Sequence, residues 1–326
     1  MSSTGACASE EASPLVLGTR GSRLALWQAR RVKEQLEAGG HAARLREITT
    51  TGDRRQDAPL SELNDEAVFT KELDRALLDG GIHLAVHSLK DLPSHVPEGI
   101  TLAAVSARAS PLDAFVAHPS FEGKLKDLPE GATLATASLR RRAQLKAWRP
   151  DLEVAPVRGN VDTRLQKLAH SDWHGMVLAV AGLRRMGLAE HIREKIAPRV
   201  MVPAVGQGAL GIACASENDA LRSALRRTLH DERAGTCAAA ERAFMKAVGG
   251  GCQVPTGAYA RFPGNGDARS GRLLLSGCIA GLDGEPLLRE ERTTRPEDAE
   301  ATGRALAEAL LEQGGREVLN EIRPYE

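Results

Sequence analysis

Aromatic rings are scarce in this chain, with five Phe, three Trp and two Tyr among 326 residues. So few rings leave little for bases to stack on, which argues against nucleic acid as a partner. Net charge is also missing: 43 basic residues meet 43 acidic ones. No global field then draws the chain toward nucleic acid or an anionic membrane, and any anion site has to be local. No segment approaches 18 apolar residues, and the opening MSSTGACASEEASP has neither a basic stretch nor an apolar core. Secretion and membrane spanning are therefore not expected, and residues 1 to 13 read as a disordered leader. The five cysteines, Cys7, Cys214, Cys237, Cys252 and Cys278, are odd in number, widely spaced and never paired as C-x-x-C. That argues against a disulfide framework and a zinc ribbon and fits a reducing cytoplasm. His83 and His87 lack a spaced carboxylate or thiolate to complete a ligand set, so no metal is expected and core or hydrogen-bonding roles are favoured.

What is present is the composition of a soluble globular protein, 42% hydrophobic and 26% charged with a mean hydropathy of -0.27. A chain this long exceeds one ordinary core, so two or three domains are expected. From Leu15, short apolar runs alternate with helical periodicity: LVLGT, RLALWQARRVKEQLEA, RLREITT, VFTKELDRALLD, HLAVHS. Such alternation implies an α/β unit with a largely parallel sheet. A second unit follows, with helices expected at Leu139–Trp148 and around Val161–Ala169. GALGIACA then supplies a strand able to cross back to the first unit. After His230 come an Ala-rich helix (Asp231–Val248), two strand-like runs, GAYARF and RLLLSGCIA, and a helix from Ala299 to Gln313. This reads as domain 1 over 14–108 with a returning segment 203–226, domain 2 over 109–202, and an α+β third domain over 227–326.

Residues 109–201 hold ten arginines and five lysines against ten carboxylates. The arginines cluster just past strand ends: Arg140 to Arg142 after TLATAS, Arg158 and Arg164 around GNVDTR, Arg184 and Arg185 after MVLAVAG. Open α/β sheets place ligands there, and helix N-termini add free N–H groups, so Ser138 through Arg141 suit a carboxylate. For any one cluster a solvated surface is as good a reading, but three at equivalent places point to a multiply anionic ligand. GTRGS brings Arg20 and Ser22 to a similar turn. HSLKD places Lys90 beside Asp91, suited to acid–base work or cation stabilisation, although a surface ion pair would leave the same spacing. GQGALG (206–211) has dinucleotide-loop spacing, but the strand-like IACA follows it, so that function is rejected.

VGGGCQVPTG sets Cys252 behind Gly249, Gly250 and Gly251, whose backbones accept positive φ and close approach. Cys214, Cys237 and Cys278 lie in apolar strands or a helix, where inert buried thiols are the default. Cys252 instead has the setting of a reactive or modified thiol. With no flanking His to act as a base, cysteine-protease chemistry is weakly supported.

Taken in order, LGTRGSRLALWQA, AVHSLKDLP, TASLRRRAQL, VRGNVDTRL, LAVAGLRRMG, PAVGQGALGI and GGGCQVPTGAYA resemble the hydroxymethylbilane synthase (porphobilinogen deaminase) family from about Leu15 to Ile322. The resemblance implies two periplasmic-binding-protein-like α/β domains around a cleft, with a smaller third domain presenting Cys252. It implies a dipyrromethane cofactor on Cys252 through a thioether, built from the enzyme's own substrate and serving as primer. Four porphobilinogen molecules are added with loss of ammonia, and hydroxymethylbilane is released by water. Asp91 is implied as the catalytic group. Cofactor binding falls to Lys90, Ser88, Ser138, Arg140, Arg141, Arg164, Arg185 and Gly182, and substrate binding to Arg20, Ser22, Thr136, Arg158 and Gln207. A cytoplasmic monomer without nucleic-acid or membrane partners is implied.

The chain departs from the family pattern in three places. Asn64, Asp65, Glu66 and Ala67 stand where a Gly-Gly-Lys-Gly stretch is usual, Arg23 replaces a common proline, and Asp162 a common glycine. An acidic stretch at 62–67 closed over a carboxylate-rich substrate would repel it, which would weaken turnover. The competing reading is a non-catalytic binder of an anionic ligand, which paired α/β units and arginine clusters alone would allow.

Overall fold

The computed structural model describes residues 13–54, 70–249, 254–264 and 271–322. Cys252, the 62–67 stretch and, apart from Ser13, the leader lie outside the described residues.

The first domain opens with β1 (Leu15–Thr19), α1 (Arg23–Ala38), β2 (Ala43–Glu47), a short α2 (Thr51–Arg54), α3 (Lys71–Leu78), β3 (Leu84–Ser88) and β4 (Ile100–Val105). Ser22 caps α1 by accepting a hydrogen bond from Ala25 N, and Val32 and Leu36 turn the helix's apolar face inward. The second domain contains β5 (Asp113–Ala117), β6 (Thr133–Ala135), α4 (Leu139–Trp148), β7 (Glu153–Ala155), α5 (Val161–Ala169), β8 (Gly175–Ala179), α6 (Val180–Arg185) and β9 (Glu194–Lys195). The chain then returns as β10 (Leu210–Ala215) and α7 (Asp219–Leu229).

The two sheets have matching plans. The first has order β2-β1-β3-β10-β4 and the second β7-β6-β8-β5-β9. In each, one strand runs against its neighbours: β10 is antiparallel to β3 and β4, and β5 to β8 and β9. The antiparallel strands are the two at the crossings, so each sheet receives its odd strand where the chain passes between domains. Apolar clusters cover both faces, Leu17, Leu36, Leu84 and Ile212 on one side of the first sheet and Leu73, Ile82 and Ala85 on the other. Burial on both faces is why these strands read as continuous apolar runs.

The third domain packs α8 (Glu232–Ala247) and α9 (Ala299–Leu310) against β11 (Thr256–Arg261), β12 (Leu273–Ala280) and β13 (Leu287–Thr294). Its core is built on Phe244, Leu275, Ile279, Leu306 and Leu310. A π-helical turn over Leu311–Gly315 leads into α10 (Arg316–Ile322). The expected helix to Gln313 thus ends earlier as an α-helix, and the sheet has a third strand. LLREERTT shows no apolar alternation because β13 pairs with β12 alone and leaves most of its side chains partly exposed.

Candidate active site

The site is assembled from strand ends. β3 ends at Ser88 and turns through Leu89–Asp91, with Leu89 and Leu92 buried as anchors, so the intervening Lys90 and Asp91 face outward into a cleft of about 220 Å³. Gly206, at φ 69°, comes so close that a Cβ there would lie 2.7 Å from Leu89 Cγ. At Gly208, φ 95°, a Cβ would meet Ala109 O at 2.6 Å. GQGALG is therefore the turn of the returning crossover, and its glycines serve backbone approach rather than a dinucleotide.

From the second domain, β6 leads through Thr136 into α4. Thr136 Oγ1 accepts from Ser138 N at 3.2 Å, and Ser138 Oγ caps the helix by accepting from Arg141 N at 3.4 Å. Arg140 and Arg141 are 5% and 6% exposed and converge on an acid that the sequence reading did not single out. Arg140 Nη1 donates to Asp113 Oδ2 at 2.8 Å, and Arg141 donates to Asp113 Oδ1 from Nε at 3.0 Å and from Nη2 at 2.8 Å. Val202 O and Val177 O accept the Nη1 groups of Arg140 and Arg141. Burial works against the Asp113 charge, but the two guanidinium groups outweigh it and hold its carboxyl well below the usual range. The backbone N–H and guanidinium of Arg141 are thus engaged within the protein, and the three charges leave a net single positive charge. Arg140 Nε is buried without a hydrogen-bond partner, and the Arg140 residue lines the cleft.

Gln207 bridges the domains at this point. Its Nε2 donates to Pro111 O at 2.6 Å and to Asp113 Oδ1 at 3.1 Å, while its Oε1 accepts from Lys90 Nζ at 3.5 Å. Burial lowers the Lys90 pKa, with Asp91 acting the other way. Arg164 Nε donates to Gly159 O at 2.7 Å. Burial, then Arg141 and Arg158, bring the Arg164 guanidinium down to about 10.

The cleft is lined by Lys90 and Asp91 from the first domain, Ser138, Arg140, Arg141 and Arg164 from the second, Gln207 from the crossover, and Met245, Val254 and Thr256 from the third. Met245 and Val254 lie on the two sides of the sequence segment containing Cys252. A second cavity, of about 50 Å³, is lined by Arg20, Ser22, Gln28, His87, Ser88 and Asp91 among others. Asp91 borders both. Ser88 Oγ accepts from Gln28 Nε2 at 2.8 Å. Burial first and Arg20 second push the His87 pKa down to about 4, while His83 Nδ1 accepts from Val16 N.

Thr136, Arg158, Gly182 and Arg185 line neither cavity. Arg158 acts electrostatically on Arg164. Arg185 donates to Gly208 O at 2.7 Å, with its guanidinium 5.8 Å from the Trp27 ring centroid. Beyond Asp113, the sequence reading passed over Arg108 and Glu241, which tie the crossovers to the third domain. Each hid in plain view: Asp113 opens the apolar run DAFVA, and Glu241 is a lone acid in AAAERAF.

Residues 15–223 match the family model described as "Porphobilinogen deaminase, dipyromethane cofactor binding domain", and residues 235–312 match "Porphobilinogen deaminase, C-terminal domain". The chain belongs to the porphobilinogen deaminase family. A porphobilinogen deaminase of Rubrobacter xylanophilus is 49% identical over 313 residues, covering 96% of this chain and 98% of the relative. One from Syntrophomonas wolfei is 44% identical over 311 residues, covering 95% and 99%. Among solved structures, a nutrient binding protein from Burkholderia cenocepacia bound to methionine is 16% identical, with a TM-score of 0.41, covering 65% of this chain and 89% of its own. That likeness is too slight to carry an argument. Dipyrromethane, the cofactor class implied by the motifs, is the one in the description of the matched domain.

The residues present fit such a group. A dipyrromethane built from porphobilinogen carries acetate and propionate carboxylates, and the cleft is lined by Lys90, Arg164 and Arg140, whose Nε is buried without a hydrogen-bond partner. No helix among the described residues is long and apolar enough to cross a membrane.

Proposed function

We propose that this chain is a hydroxymethylbilane synthase that joins four porphobilinogen molecules into a linear tetrapyrrole, priming the first on a dipyrromethane held by Cys252. The observation that carries the reading is the meeting of two cavities at Asp91, beneath cationic groups from two domains and beside third-domain residues that flank Cys252 in the chain. When bound, the cofactor supplies a free pyrrole α-carbon as the first growing end.

Each addition breaks the C–N bond of porphobilinogen's aminomethyl group, forms a C–C bond to a free α-carbon, and releases that carbon's proton as ammonia departs. In this reading Asp91 accepts pyrrole N–H donors, faces the positive charge that develops, and takes or returns the proton. Lys90 and Arg164, with Arg158 behind, hold carboxylates of substrate and chain. Charge-assisted hydrogen bonds contribute roughly 1.5 to 3 kcal/mol each, less where water enters, so several act together. Arg140 and Arg141 keep one net positive charge beside them through Asp113. Ser22, Ser88, Thr136, Ser138, Gln207, Gly182, Arg20 and Arg185 shape and support the two compartments in this reading. It also takes the protein as a cytoplasmic monomer. The described cysteines, Cys214, Cys237 and Cys278, are free thiols, and burial pushes Cys237 up to about 12 and Cys278 up to about 11.

Intact mass decides the cofactor claim. The purified chain should exceed its sequence mass by two linked pyrrole rings and lose the excess in Cys252→Ser. A simple anion binder would show the unmodified mass and no colour with acidic aldehyde reagent.

A further inference from the structure

Beside the second cavity, which Leu24 lines, the first turn of α1 docks on the second domain. Arg23 Nη1 donates to Asp162 Oδ1 at 3.1 Å, and its Nη2 donates to Met186 O at 3.1 Å. Leu24 faces Gly182, where a Cβ would come within 3.9 Å of Leu24 Cδ2. Trp27, one turn beyond Arg23, meets Arg185. The two departures from the family pattern near the arginine helix are therefore partners, one on each side of the cleft.

The local electrostatics favour this contact. Asp162 lies in the first turn of α5, where the helix dipole stabilises an anion, whereas Arg23 begins α1, where a cation is disfavoured and is drawn outward. Asp162 stands two residues before Arg164, which lines the cleft. The pair thus ties the helix bearing a cleft cation to the domain bearing Lys90 and Asp91. Arg23 and Asp162 side chains are 63% and 39% exposed, so the ion pair is screened by salt and shifts an equilibrium by only about twofold to fivefold. That is too weak to lock the domains and enough to bias them.

We propose that Arg23 and Asp162 are a positioning pair that sets the width of the cleft, favouring the arrangement in which Arg164 faces Lys90 and Asp91. Its catalytic consequence rests on the function proposed above, whereas its existence does not.

The test uses the full chain as the parent, Arg23→Glu, Asp162→Arg and the exchange variant carrying both. Solution X-ray scattering at low ionic strength reads domain separation, and porphobilinogen saturation kinetics read KM and kcat. Each single variant should enlarge the radius of gyration and raise KM by about twofold to fivefold. The exchange should return both toward the parent, and about 1 M salt should remove the differences. Single variants matching the parent, or an exchange variant no better than the singles, would overturn the pair. Should a reversal fail to fold, Arg23→Gln and Asp162→Asn give the same reading without repulsion. A parent that does not consume porphobilinogen would sink the enzymatic reading, while scattering would still decide the pair.

Discussion

The Arg108 guanidinium meets the Glu241 carboxylate along two contacts, Nη1 to Oε1 at 2.5 Å and Nη2 to Oε2 at 3.2 Å. Glu241 is fully buried and also accepts from Gly206 N and Ala260 N, each at 2.7 Å, while Arg108 Nε donates to Gln207 O at 2.9 Å. One carboxylate therefore joins both crossovers to the third-domain sheet. Arg108→Ala strands it in the interior, and breaking a buried pair this way costs about 3–5 kcal/mol. Denaturant unfolding should show that loss. A change below about 1 kcal/mol would mean that water or another donor replaces the guanidinium.

Asp113 makes stability depend on pH. Its folded pKa is depressed, so the unfolded chain binds the proton more readily and stability falls with pH through the interval below the ordinary carboxylate value of 3.8. Asp113→Asn should be less stable at neutral pH, because two buried guanidinium groups lose their counter-charge. It should also show a flatter acid limb than the parent. Urea midpoints measured between about pH 2 and 7 check both.

For Asp91 the expected result is separation of loading from turnover. Asp91→Glu should keep the mass of the attached pyrroles yet lose at least about 100-fold in ammonia release, the lower range for a displaced acid–base group. Normal ammonia release would remove Asp91 from the catalytic role.

Arg164→Leu should raise KM for porphobilinogen about tenfold to 100-fold, corresponding to one charge-assisted contact. Arg158→Leu should act in the same direction but less, since Arg158 lines neither cavity and reaches the site through Arg164. Unchanged saturation curves would exclude both from substrate binding.

His87, with its pKa down to about 4, should stay neutral across the physiological range. Protonation then favours the unfolded chain, so this residue costs stability as pH falls from 6.5 toward 4. An imidazole proton titration of folded protein by NMR, with no inflection near 6.5 for His87, checks it.

Much of this was legible in the residues. The bounds of α4 and α5 follow from Ser138 and Asn160 standing just ahead of helical runs, and the double apolar faces of the first two sheets gave continuous strands. β13 was hidden because its four charged residues stand together and its apolar residues do not alternate; α7 was not singled out in the sequence. Lys90, Asp91, Ser138, Arg140, Arg141 and Arg164 share one cleft, as strand-end placement suggested, and Gln207, which only the family resemblance named, lines it with them. That two of those arginines spend much of their charge on Asp113 was not readable, because the contact spans 27 and 28 residues and depends on how β5 enters its sheet.

The chain crosses between its first two domains twice, and the crossings lie side by side, with Ala109 N donating to Gly208 O and Ser106 N to Leu210 O. Two connections bonded to each other constrain the relative placement of the domains more tightly than a single linker could, as two pins hold a plate that one would let spin.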